Sequence, residues 1–377
     1  MKSILKFIKE EVVFTIACIL AFISAFIVTP SSEYIDYIDF RTLGLLLALM
    51  LVVQGFKSCG VFDTLVRLLT NFANNRRQLS FILVLLCFFF SMLITNDVAL
   101  ITFVPFTILI LDIIDDPKFS IYIIVLETVA ANLGSMFTPI GNPQNLYLYS
   151  ISEMSILSFL KLMLPYTIIS FVLLVLAIML VKPIPLDIDA TNNSSNTQNF
   201  TKNSFKTTIS FAIYAFLFLL SILTVLHILD YKIMLIIVLL SIAILNYKLL
   251  LKADYILLLT FIAFFIFIGN IKNIEAVSNL LASLVEGREC FVAIGASQIV
   301  SNVPAAMLLS GFTSKFDQLI IGTNLGGLGT LIASMASLIS YKFYAKMKAS
   351  NIKRYILAFT LINIIFLVVL IVAYILF

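Results

Sequence analysis

The 377-residue chain is 62% hydrophobic and 12% charged, with a mean hydropathy of +1.12 and a net charge of +4. A soluble domain carries about a quarter charged residues, so this much apolar surface excludes a single core in water. In lipid only helices and closed barrels satisfy the backbone, and continuous rather than alternating apolar runs select helices.

The basic N-terminus, Lys2 to Lys9, precedes an apolar run from Val12 to Val28. No small-x-small cleavage site follows, so this is expected to be a retained first span rather than a signal peptide. Full spans are predicted at about 12–29, 41–56, 119–150 (interrupted), 162–181, 208–228, 232–247, 254–270, 318–341 (interrupted) and 355–376. Each is sized for a hydrocarbon core of about 30 Å. Val61 to Phe72 is amphipathic, with Asp63, Arg67 and Asn71 on its polar face, and Ala276 to Val285 is its counterpart in the second half. Both read as interfacial or edge helices. The polar segment Lys182 to Lys206 links the halves.

Two stretches do not fit simple crossing. Ser80 to Leu111 is apolar except at Thr95-Asn96-Asp97. As one helix its 32 residues would reach about 48 Å, longer than a tilted span. A hairpin with that polar triplet at its tip is expected instead, each arm covering half the membrane. Phe291 to Phe312 is short enough to cross once, but its Ser301-Asn302-Val303-Pro304 suits a second tip, with the proline in the turn. With two hairpins and the N-terminus inside, 18 of the 24 Lys and Arg lie on the cytoplasmic side, as the positive-inside rule requires. A crossing at 290–313 would put Lys342, Lys346, Lys348, Lys353 and Arg354 outside.

The hairpins resemble each other. Ser91 to Thr107 aligns without gaps on Ser297 to Thr313, sharing a Ser, the tip Asn, an Ala and the final Phe and Thr. Asn132 to Asn145 aligns on Asn324 to Ser337, sharing Asn, Leu, Gly, Thr and Ile. The offsets are 206 and 192 residues, in the same order. The fold expected is all-α and polytopic, with two inverted-topology repeats, each holding a re-entrant hairpin and a broken transmembrane helix. That arrangement marks secondary transporters, with the site where the breaks meet. The chain then divides into an N-terminal span and outer loop (1–39), a first repeat (40–181; hairpin about 80–113, broken helix about 119–150) and a cytoplasmic linker (182–206). A second half (207–353; hairpin about 290–313, broken helix about 318–341) and a C-terminal span (354–377) follow.

Paired Asn-bearing tips, each followed by a glycine-rich break, resemble the ion transporter superfamily. That group holds the divalent anion:sodium symporters, citrate permeases, arsenite permeases and NhaD-type antiporters. Thr95-Asn96-Asp97 and Ser301-Asn302-Val303 look like the two Ser-Asn-Thr tips of the symporters. Asp97 and Val303-Pro304 depart from that pattern and look nearer the arsenite-permease and NhaD branches, or uncharacterised anion permeases. The resemblance covers about 40–350 and implies a sodium role for Thr95, Asn96, Ser301 and Asn302. It does not carry dicarboxylate specificity.

No Lys or Arg falls near a predicted midplane. An anion would therefore rest on helix N-termini, hydroxyls, amides and a co-bound cation. Asn132, Gly134, Thr138, Gly141 and Asn142 at the first break and Asn324, Gly326 and Thr330 at the second are the expected substrate contacts, together with Thr95, Asn96, Ser301 and Asn302. The glycines either admit a ligand or kink and pack the helices. Asn132 and Asn324 either bind ligand or cap the breaks. Asp97 and Glu127 are the deep carboxylates. Asp97 either binds the coupling cation, sodium or a proton, or caps a helix; Glu127 either carries a proton or bonds a neighbouring helix.

The expected function is a secondary active transporter moving a small carboxylate or oxyanion, coupled to sodium or protons by alternating access, in the plasma membrane. A sodium/proton antiporter and an arsenite-type efflux permease are the alternatives. No nucleophile–base pair suggests an enzyme, and no dense basic block suggests nucleic acid. The scattered Cys18, Cys59, Cys87 and Cys290 with a lone His227 suggest no metal site beyond sodium. Bound sodium and a homodimer are carried as candidates.

Overall fold

The computed structural model describes residues 11–62, 72–186, 204–347 and 350–377. Sixteen α-helices run through them, and among the described residues there is no strand beyond an isolated bridge between Asn75 and Pro185. In chain order they are α1 (Val12–Ile27), α2 (Phe40–Ser58), α3 (Arg76–Ile94), α4 (Asn96–Ile114), α5 (Pro117–Ser135), α6 (Pro143–Ile151), α7 (Ile156–Met179) and α8 (Ser204–Val225). Then come α9 (Tyr231–Asn246), α10 (Tyr255–Lys272), α11 (Glu275–Val285), α12 (Glu289–Val300), α13 (Asn302–Leu309), α14 (Phe316–Gly326), α15 (Met335–Tyr344) and α16 (Ile352–Leu376). Among the described residues seven helices are long and apolar enough to cross a bilayer. The chain is an all-α polytopic membrane protein.

The helices start where the sequence supplies caps. Asp39, Asn75, Asp116, Asn142, Ser155, Asp230, Asp254 and Asn351 each accept a backbone N–H of the helix that follows, satisfying donors no helix can satisfy internally. Pro117 and Pro143 stand at first-turn positions, where a missing N–H costs nothing. Outer faces of α7, α8, α9 and α16 leave Leu176, Leu219, Ile236 and Leu361 exposed, which is what lipid as solvent permits.

Both hairpins close at their bases. Arg76 at the start of α3 meets Asp116, just beyond α4, at 2.5 Å. Glu289 at the start of α12 meets Lys315, just beyond α13, at 3.5 Å. The arms of the first hairpin are longer than half a membrane: α3 and α4 have 19 residues each, or about 28 Å at the helical rise. Those of the second have 12 and 8 residues, or about 18 and 12 Å. Pro304 does not sit in the turn. It occupies the first turn of α13, where proline needs no acceptor.

The broken helices are α5–α6 and α14–α15. Each second segment packs on the opposite half: α6 lies against α13 and α14, and α15 against α4 and α5. The core thus knits the halves together at the breaks. The predicted helix at Ala276 to Val285 is α11. The predicted amphipathic helix at Val61 to Phe72 and the linker Lys182 to Lys206 fall largely outside the described residues, as does the basic segment before residue 11.

Candidate functional site

Each hairpin turns on one residue. Thr95, between α3 and α4, has φ 71° and ψ 150°; Ser301, between α12 and α13, has φ 75° and ψ 157°. Side-chain-bearing residues pay about 1–3 kcal/mol to adopt this corner of backbone space, which otherwise belongs to glycine. Such strain at two aligned positions points to a tip geometry that the surroundings enforce.

What enforces it is the break opposite. The Asn96 amide donates to the Gly141 carbonyl at 3.0 Å, and the Asn302 amide donates to the Ala333 carbonyl at 3.0 Å. Asn96 Oδ1 accepts from the Asp97 amide at 2.9 Å and Asn302 Oδ1 from the Val303 amide at 3.0 Å. The Thr138 hydroxyl donates to the Met92 carbonyl; that of Thr330 donates to the Gln298 carbonyl at 3.4 Å. Gly134 sits on the Phe88 carbonyl and Ser91, and Gly326 sits on Ile294 and Ser297. In every pair the hairpin partner recurs 206 residues on and the break partner 192 residues on.

Between the breaks lies a buried amide cluster. Asn132 Oδ1 accepts from Asn96 Nδ2 at 3.1 Å and from the Ser334 hydroxyl at 3.0 Å, and its Nδ2 donates to Ser337 Oγ at 3.2 Å. Asn324 Oδ1 accepts from Asn142 Nδ2 at 3.0 Å, and its Nδ2 donates to Asn145 Oδ1 at 2.6 Å. Asn142 and Ser334 are matched residues, as are Asn145 and Ser337. Each break asparagine is therefore bonded to the start of the second segment in the other half. Helices α4, α6, α13 and α15 all begin at this network, and their N-termini carry partial positive charge. Among the described residues no Lys or Arg is buried.

Of the expected residues, Asn96, Asn132, Asn142 and Asn324 meet in one network, with Thr95, Ser301 and Asn302 at its edges. Gly134, Gly141 and Gly326 lie where hairpin and break touch. Thr138 and Thr330 also join hairpin to break rather than face the cluster, and Thr330 is exposed. Asp97 is half-buried beside the first tip, and no side chain among the described residues bonds its carboxylate. Glu127 is apart from the network and fully buried. Thr107 Oγ1 donates to its Oε1 at 2.5 Å, while Oε2 has no partner among the described residues. Asn145, Ser135, Gln298, Ser334 and Ser337 belong to the site and were not singled out from sequence. Their alignment partners differ in type, so identity gives no signal. Among the described residues no group of His, Cys, Asp or Glu could hold a metal.

Apolar helices closed around a buried amide cluster define a multi-pass membrane protein. The chain belongs to the citrate transporter family, whose model matches residues 4–314. It is similar to an uncharacterised transporter of Methanocaldococcus jannaschii, at 32% identity over 342 residues covering 90% of each chain. It is also similar to the inner membrane protein YbiR of Escherichia coli, at 31% over 308 residues, 81% of this chain and 80% of that one. A shorter stretch, 34% of this chain and 26% of the relative, is 36% identical to the silicon efflux transporter of Oryza sativa subsp. japonica. The protein is a transporter and not an enzyme.

Proposed function

We propose that this transporter moves a small anion, a carboxylate or an oxyanion, together with a cation, by alternating access. One observation carries the reading: four helix N-termini meet at a buried amide network with no buried basic side chain, beside a single tip carboxylate. Helix N-termini attract an anion. Bringing an anion past Asp97 without a positive side chain calls for a cation, and the Asp97 carboxylate with the Thr95 and Asn96 oxygens supplies hard ligands for sodium, or a base for a proton.

In this reading the hairpins re-enter the membrane from opposite sides, as inverted repeats do. The hairpins and broken helices form the moving unit, working against a scaffold that includes α2, α8 and α9. The N-terminus is cytoplasmic, and the protein resides in the plasma membrane; one relative is named an inner membrane protein. A relative named for silicon efflux makes export of an oxyanion a direction to test alongside uptake. A second reading, sodium/proton antiport, draws on Asp97 and Glu127, two membrane carboxylates with no basic partner.

Thermal stabilisation in detergent separates these readings. A panel of carboxylates and oxyanions is screened in sodium chloride and in choline chloride. At least one anion should stabilise the wild type more in sodium or at lower pH, and Asp97→Asn should lose that dependence. Stabilisation by sodium alone, with no anion effect, favours antiport. Full cation dependence in Asp97→Asn contradicts the role given to Asp97.

A further inference from the structure

The four helices that begin at the amide network use their first N–H groups differently. In α4 the Asn96, Asp97, Val98 and Ala99 amides donate to the Gly141 carbonyl, Asn96 Oδ1, Thr95 Oγ1 and the Thr95 carbonyl. In α13 the Asn302, Val303 and Ala305 amides donate to the Ala333 carbonyl, Asn302 Oδ1 and the Ser301 carbonyl, and Pro304 has no N–H to give. The hairpin helices therefore reach the network with their N-terminal donors spent.

The second segments of the broken helices do not. In α6 Pro143 carries no N–H, and Asn142 takes the Asn145 amide on its side chain and the Leu146 amide on its carbonyl. Between them the Gln144 N–H has no acceptor among the described residues. In α15 the Ser334 hydroxyl is turned to Asn132 Oδ1 and does not cap its own helix. The Met335 and Ala336 N–H groups have no acceptor among the described residues. Gln144 and Ala336 are matched residues, 192 apart, and both are buried. An N–H shut away from water without an acceptor is rare in native proteins, and here it recurs at the same place in both halves.

The Gln144 side chain is a second and independent sign of a ligand. It is 1% exposed, yet neither end of its amide makes a hydrogen bond among the described residues. Helical side chains lean toward the N-terminal end, so from the first turn this amide extends past the end of α6, beside its own free N–H. The ends of α6 and α15 are held to one place. Asn142, which caps α6, donates to Ser135 Oγ at 3.2 Å, and Ser334, which precedes α15, donates to Asn132 Oδ1 at 3.0 Å. Both acceptors lie in the last turn of α5.

We propose that the transported anion is seated on the N-termini of α6 and α15, on the free Gln144, Met335 and Ala336 N–H groups, with the Gln144 side-chain amide as a specificity-determining contact. This rests on the anion reading above and narrows it from four helix ends to two. The donors are neutral N–H groups from two helix ends and one side chain, which suits the oxygens of a single carboxylate group or of a compact oxyanion.

The test is melting in detergent, without anion and across a titration of whichever carboxylate or oxyanion of the panel above stabilises the wild type most. Gln144→Met keeps the length of the side chain and removes the amide. Without anion it should melt no lower than the wild type, because the group it deletes is buried and unpaired. With anion it should need about tenfold more for half-maximal stabilisation, the worth of one hydrogen bond to a charged group. Gln144→Glu keeps the shape and sets a negative charge in the seat, and it should lose the anion response at neutral pH. Lower melting of Gln144→Met without anion would mark the amide as structural and overturn the proposal. An unchanged half-saturating concentration in either variant overturns it too. A wild type that no anion stabilises, with sodium or without, overturns the anion reading instead.

Discussion

Asn324 donates to Asn145 Oδ1 at 2.6 Å across 179 residues of sequence, joining the break of the second half to the second segment of the first. Asn132 makes the matched bond to Ser337 at 3.2 Å. Asn324→Ala strips the donor from Asn145 Oδ1 and leaves Asn142 Nδ2 with Ser135 Oγ alone, in a site closed to solvent. A buried polar group left unpaired costs about 1–3 kcal/mol. The variant should melt well below the wild type in detergent and lose transport, and Asn132→Ala should behave alike. Wild-type melting in both would show that the cross-half bonds contribute little.

Gly134 and Gly326 allow each hairpin to lie on its broken helix. A Cβ on Gly134 would run into the Phe88 carbonyl, a backbone atom, and one on Gly326 would stand 2.7 Å from Ser297 Oγ. Overpacking costs about 1–3 kcal/mol, and it is larger where backbone must move. Gly134→Ala should therefore be the more damaging of the two by melting temperature. Gly295, with nothing near its Cβ position, is the control whose alanine variant should fold normally.

Thr95 and Ser301 hold strained tips. Thr95→Gly and Ser301→Gly remove about 1–3 kcal/mol of backbone strain. They also remove hydroxyls, of which that of Thr95 accepts only a long 3.5 Å bond from the Val98 amide. Both variants should be at least as stable as the wild type. Thr95→Gly should weaken cation dependence, read as the sodium or proton concentration giving half-maximal flux.

The Arg76–Asp116 pair closes the first hairpin at its base. Burial pushes the Asp116 carboxyl up, but the Phe119 amide, the Arg76 side chain and the Lys118 amide outweigh it and hold the group below its ordinary 3.8. The folded state therefore binds this proton less readily than the unfolded chain. The stabilisation is complete above the ordinary carboxylate range and is lost as pH falls through the lower folded value. Asp116→Asn should reduce stability at neutral pH and flatten the acid limb of the melting curve; a parallel acid limb would contradict this.

Much of the site was legible because the matched residues are themselves the contacts. Ser91 and Ser297, Asn96 and Asn302, Gly134 and Gly326, and Thr138 and Thr330 are pairs in the sequence alignment and pairs in the hairpin-to-break contacts. Identity survived where the same geometry is needed twice. The bonds between the halves were not legible. Asn145 and Ser337 do equivalent work with different side chains, and their partners lie 179 and 205 residues away, which no local pattern reports. Gln298 was invisible for a like reason, since at the first break Asn145 of α6, and not the aligned Met92, bonds the loop carbonyls. The proline of the second tip misled by one turn, because Pro304 suits the start of a helix as well as a loop. Six of the seven helices long and apolar enough to cross a bilayer fall on spans predicted from hydropathy; the seventh, α3, is the first arm of the hairpin expected at 80–113.

The most direct measurement is uptake of a labelled small carboxylate or oxyanion by proteoliposomes under an imposed sodium or proton gradient. The anion is chosen from those that stabilise the protein. The account predicts accumulation above the outside concentration while the cation gradient lasts, collapse when an ionophore dissipates it, and no accumulation by Asp97→Asn. Equilibration without accumulation under both gradients, or a sodium-driven pH change that needs no anion, would contradict it.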